Sequence, residues 1–94
     1  MYAIAIVRYR KPLEEVLKVV DEHRAFLREL KAKGHLIASG PLDPRNGGAL
    51  LLRVPDVAAL DAIRDEDPFT KTGCAQYELL PWVPNIGVED LDKL

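Results

Sequence analysis

The chain has 94 residues, enough for one small domain and near the lower limit of what a single core supports. Thirteen basic and fifteen acidic residues leave a formal charge of −2, which offers nucleic acid or an anionic membrane no global attraction. The single cysteine, Cys74, excludes an internal disulfide, and no run approaches the ~18 apolar residues of a membrane span, so a cytoplasmic protein is expected.

The N-terminal run YAIAIVRY, 2–9, is β-rich and too short for a typical helix, so it predicts a first strand. It is not preceded by the charge that a secretory peptide would carry. Pro12 suits a helix start, and Leu13, Val16, Leu17, Val20, Leu27 and Leu30 recur at helical spacing as far as Gly34, a fitting stop. HLIASG, 35–40, predicts a second strand. The connection PLDPRNGG contains Asn46-Gly47, a strong turn signal. ALLLRV, 49–54, predicts a third strand. Asp56 is the expected N-cap of a second helix, DVAALDAIRDE. DPFTKTG predicts a turn with room for a short helical piece. AQYELLPW, 75–82, predicts the fourth strand, and the remaining residues form a tail.

The order β-α-β-β-α-β is the ferredoxin-like, split-βαβ arrangement of an α+β protein, with two helices on one face of an antiparallel sheet. The other face of a monomer should be polar. Yet in strand one Tyr2, Ile4, Ile6 and Arg8 alternate with Ala3, Ala5, Val7 and Tyr9. In strand three Ala49 and Leu51 alternate with Leu50, Leu52 and Val54. Both faces are apolar, so a homodimer packed through the open sheet face is expected. The alternative is that the tail folds over that face.

Three places can carry chemistry. His23 falls inside the apolar arc of the first helix. It is either a core histidine tied to a backbone carbonyl or a general base, since an imidazole titrates near ~6.5. Asp67 precedes Pro68, which disfavours the α conformation there and ends the second helix. Asp67 can cap the turn that starts at Pro68, or it can aim at His23 as an orienting carboxylate aims at a base; the separation in sequence does not decide. In Ser39-Gly40-Pro41, Ser39 can donate to a substrate oxygen or bond its own backbone. Gly40 permits a close approach or a positive φ, and Pro41 fixes the exit from the strand. Phe69 is expected to anchor the turn in the core. His35 reads as structural or exposed, Cys74 as a small buried hydrophobe, and Trp82 as a rim or interface residue. His23, His35, Cys74 and Asp67 show no metal-ligand spacing, so no metal or cofactor is expected.

These pieces in this order resemble the YCII-related family. Its H-x-x-[FY]-L helix motif corresponds to His23-Arg24-Ala25-Phe26-Leu27. Its G-x-L-x-x-S-G-P strand end corresponds to residues 34–41, its D-P-F ahead of a glycine to Asp67-Pro68-Phe69 and Gly73, and its final P-W pair to Pro81-Trp82. The resemblance runs to residue 83, as a single domain, and leaves 84–94 as a C-terminal tail. It implies a dimeric α+β barrel. It also implies a His-Asp pair in a cleft at His23 and Asp67, with Ser39, Gly40, Pro41 and Phe69 around a small ligand. One branch of the family is associated with removing chloride from a chlorinated hydroxyquinol without a cofactor. The expectation is therefore a cofactor-independent enzyme in which His23 takes a proton from a small phenolic or carbonyl-bearing substrate. Elimination, isomerisation and hydrolysis all stay open. The alternative is a non-catalytic small-molecule-binding or accessory dimer.

Overall fold

Strand β1, Tyr2–Tyr9, alternates strictly between its two faces. Ala3, Ala5 and Val7 are buried, while Tyr2, Ile4 and Ile6 on the opposite face are half-buried. The computed structural model describes residues 1–94. In it β1 is a central strand, paired antiparallel with β3 (Gly47–Arg53) on one side and β4 (Ala75–Trp82) on the other. β2 (Leu36–Pro41) lies outside β3, which gives the sheet order β2-β3-β1-β4. This is the ferredoxin-like α+β order, and the small residues Ala3 and Ala5 of its central strand are fully buried.

The apolar run from Pro12 to Gly34 forms two helices rather than one, α1 (Leu13–Leu17) and α2 (Val20–Ala32). The break at Lys18–Val19 is closed by tight i→i−3 bonds, from Lys18 N–H to the Glu15 carbonyl and from Val19 N–H to the Val16 carbonyl. Two consecutive β-branched residues, Val19 and Val20, weaken the helix there. The break does not disturb the buried face of α2, which is His23, Leu27 and Leu30. Gly34, at φ +80°, closes α2 in a Schellman motif: its N–H bonds Lys31 O, and His35 N–H bonds Leu30 O.

β3 begins two residues earlier than its side chains suggest, because Gly47 and Gly48 stay in the ladder opposite Arg8 and Val7. A Cβ at Gly47 would lie 2.1 Å from the Val7 carbonyl oxygen, so the strands approach there as only glycine allows. The residues between β2 and β3 are held at their ends: Leu42 N–H bonds Gly47 O, and Tyr9 N–H bonds Asn46 O. α3 (Val57–Glu66) opens on Asp56, whose carboxylate accepts from Ala59 N–H at 2.9 Å. α4 (Pro68–Lys71) follows at once, with proline at its first position.

Leu50, Leu52, Val7, Leu60, Ile63 and Phe69 are among the buried residues between the sheet and its helices. On the far face Leu80 and Trp82 are 42% and 40% exposed. Arg8 and Glu78 pair at 3.1 Å at one end of that face. The tail occupies the other end and is not featureless: it contains a short helix, α5 (Val88–Leu91). Tyr2 Oη donates to Asp92 Oδ1 at 2.5 Å, and the Arg53 guanidinium donates to the Leu91 carbonyl at 3.0 Å and to Leu94 O. No helix is long and apolar enough to cross a membrane.

Candidate active site

The site begins with a steric fact. Pro68 keeps Asp67 out of the helical region, at φ −63° and ψ 128°, so α3 stops and the carboxylate turns inward. Asp67 is 0% exposed. Its Oδ1 accepts from Phe69 N–H at 2.9 Å, which caps α4, and from His23 Nδ1 at 2.8 Å. Its Oδ2 accepts from Tyr77 Oη on β4. The two readings of Asp67 in the sequence, cap and partner of His23, are therefore simultaneous.

Three donors converge on one buried carboxylate, which compensates its desolvation. The carboxylate accepts and does not donate, so Nδ1 of His23 carries the proton and Nε2 of the neutral ring keeps its lone pair. Phe69 stacks on the imidazole at 3.9 Å and 7°, and Tyr9 meets Phe69 edge-on at 6.0 Å. The ring is thereby fixed in both tautomer and plane. Tyr77 stays a neutral donor: burial, then the negative charge of Asp67, then the hydrogen bond itself push its phenol far above the ordinary range.

His23 borders a cavity of about 200 Å³ between α2, the sheet and the end of β2. Its apolar lining includes Val7, Leu27, Leu50 and Phe69, and Ser39, Gly40 and Pro41 line it from β2. Gly40 does not have a positive φ, and a Cβ there would meet nothing within 4 Å. Of the two roles read for it, only an open approach to the cavity fits. Two residues that the sequence reading did not single out, Arg24 and Arg45, also line the cavity. Tyr77 was missed as well. Its signal was its place in strand four, where it shares a face with Ala75: a buried tyrosine needs a partner for its hydroxyl.

The other candidates lie elsewhere. His35 Nδ1 faces the Arg53 carbonyl at 3.3 Å, Cys74 is buried in the core, and Trp82 is on the open sheet face. No three His, Cys, Asp or Glu side chains converge in a way that would hold a metal ion.

The fold order and the carboxylate-backed imidazole beside a cavity define a class: small split-βαβ proteins with a ligand-sized hollow, here between α2 and the sheet. The chain belongs to the YCII-related family, whose domain model matches residues 1–83. Among solved structures it is similar to 5-chloro-2-hydroxyhydroquinone dehydrochlorinase (TftG) from Burkholderia phenoliruptrix AC1100, in complex with 2,5-dihydroxybenzoquinone. The TM-score is 0.79 at 22% identity, over 90% of this chain and 96% of that one, which establishes the shared fold. No curated protein sequence matches the chain.

Proposed function

We propose that the protein is a cofactor-independent enzyme of the cytoplasm in which His23 is the general base and Asp67 its orienting partner. The observation that carries this reading is the imidazole held at 2.8 Å from a fully buried carboxylate, on the wall of a cavity. A core histidine needs one backbone carbonyl; this one has a carboxylate with two further donors, and a ring nitrogen to spare.

The reaction that fits the family and the fold relative is loss of hydrogen chloride from a chlorinated, hydroxylated ring. In the keto tautomer, Nε2 of His23 takes the proton of a ring hydroxyl. The O–H electron pair becomes a carbonyl, the adjacent double bond moves toward the halogen-bearing carbon, and chloride leaves with the C–Cl pair. Proton and chloride account for everything lost, so no oxidant is needed. Asp67 stabilises the imidazolium, and Ser39 donates to an oxygen of the substrate. The working unit is a homodimer joined through the open sheet face, where Leu80 and Trp82 remain exposed.

The test is direct. With a chlorinated trihydroxybenzene, the wild type should release chloride stoichiometrically, and His23→Ala should abolish release. Ligand-induced shifts of the His23 ring resonances without turnover, across chlorinated phenols, unhalogenated phenols and β-dicarbonyls, would replace the enzyme with a binding protein.

A further inference from the structure

The cavity carries charge of one sign. Of its fourteen lining residues the charged ones are Arg24 and Arg45, and no carboxylate lines it. Arg24 comes from α2, directly after the base, and Arg45 from the connection between β2 and β3. The chain has fifteen acidic residues and a net charge of −2, yet no acidic side chain lies within 4.0 Å of either guanidinium. A second hollow of about 300 Å³ continues along α2 and the β2 edge. It shares Arg24, Leu27 and Ser39 with the first and adds Arg28 and Lys31. Between them the two hollows are lined by four cations, Arg24, Arg28, Lys31 and Arg45, and by no carboxylate. A groove of a single sign with apolar walls concentrates ions of the opposite sign.

We infer that this cavity takes a small organic oxyanion, a carboxylate or an acidic phenolate or enolate, held by Arg24 and Arg45 with its reacting O–H or C–H toward His23 Nε2. The inference rests on the proposed reading of the cavity as the substrate site and adds the charge of the substrate. Guanidinium is always charged and presents a planar fork that matches a delocalised oxyanion. A cavity of ~150 Å³ accepts benzene, so about 200 Å³ has room for one substituted ring. The two cations also serve the chemistry. Taking a proton from a molecule that is already an anion builds further negative charge until chloride departs with it, and the arginines offset that charge where it develops.

The experiment uses matched probes on the intact protein, with affinity from calorimetry and site occupancy from the His23 ring resonances. One arm compares 4-hydroxybenzoate with its methyl ester; the other compares 2,5-dihydroxybenzoquinone, an acidic enol, with neutral hydroquinone. The anion of at least one pair should bind about tenfold tighter than its neutral counterpart. That preference should weaken with added salt and fall below about twofold in Arg24→Gln/Arg45→Gln. The arm that shows the preference identifies the oxyanion as carboxylate or enolate. Both arginines are exposed, so the double variant should keep the wild-type melting temperature. Equal binding of anion and neutral probe at His23, or a preference that survives in the double variant, overturns the inference and leaves the cavity as a site for neutral ligands. Silence of the His23 resonances with all four probes overturns both this inference and the reading on which it rests.

Discussion

Replacing Asp67 by asparagine separates the two jobs of this side chain. Asparagine is as good an N-cap as aspartate, so its oxygen can keep the Phe69 N–H and α4 should survive. The same oxygen can still face His23 Nδ1, but the amide nitrogen then donates to Tyr77 Oη, and the Tyr77 O–H loses its acceptor. Turning the amide over moves the conflict to Phe69 and His23. One buried donor is orphaned either way, at about 1–3 kcal/mol. The remaining bonds lose their charge assistance, and charged hydrogen bonds are roughly twice as strong as neutral ones, which adds about 1–2 kcal/mol. The total is about 2–5 kcal/mol at a fully buried position. A domain of this length has roughly 5–14 kcal/mol to lose, so Asp67→Asn should fold with a clearly lower urea midpoint. Ring nitrogen shifts from long-range ¹⁵N–¹H spectra should show His23 leaving the single Nδ1–H tautomer. Turnover, where a substrate is in hand, should drop by about 10³–10⁴. A variant within ~0.5 kcal/mol of wild type, with the ring still uniformly Nδ1–H, would refute the reasoning.

Three other outcomes are expected. Phe69→Ala removes a buried ring stacked on His23 and met edge-on by Tyr9, and should cost about 3–5 kcal/mol in chemical denaturation. Tyr77 has a raised folded-state pKa, so its contribution is intact below the unfolded value near ~10 and is lost as pH rises above it. Between pH 10 and 11 wild type should lose about 1 kcal/mol more stability than Tyr77→Phe; parallel curves would mean the hydroxyl is not held in its neutral form. Sedimentation at micromolar concentration should give about twice the 10.5 kDa chain mass, and Leu80→Asp should return it to the monomer value; a wild-type monomer would remove the sheet-to-sheet packing.

The strands and the second helix were legible because each is marked locally. Residues 75–82 alternate and are bounded by Gly73 and the Pro81-Trp82 pair, and Asp56 announces α3. The break between α1 and α2 left only a weak mark, the pair Val19-Val20, since neither glycine nor proline interrupts the apolar spacing. α5 was illegible for a different reason: Tyr2 and Arg53 hold the tail from far upstream, and no local pattern encodes a distant donor. The site divides in the same way. Helical spacing places His23 on a buried face, and Pro68 explains why Asp67 leaves the helix. Neither fact says that residues 44 apart lie 2.8 Å from each other. Tyr77 reaches them through strand pairing, and Arg45 through the course of a connection, both of which are properties of the closed fold.

The glycine at position 47 shapes how such a chain can diverge. With 2.1 Å between a Cβ placed there and the Val7 carbonyl oxygen, any other residue would have to push two strands apart. The ladder is therefore pinned at that point, and the backbone bonds of Leu42 and Asn46 clamp both ends of the connection that carries Arg45. Changes in the length or composition of residues 43–45 stop at the clamp instead of sliding the register of β3 past β1. His23 and Asp67 stand outside that connection, on α2 and at the start of α4, and Arg45 within it. Drift among relatives should accordingly alter the wall that Arg45 gives the cavity much sooner than it alters the imidazole and carboxylate.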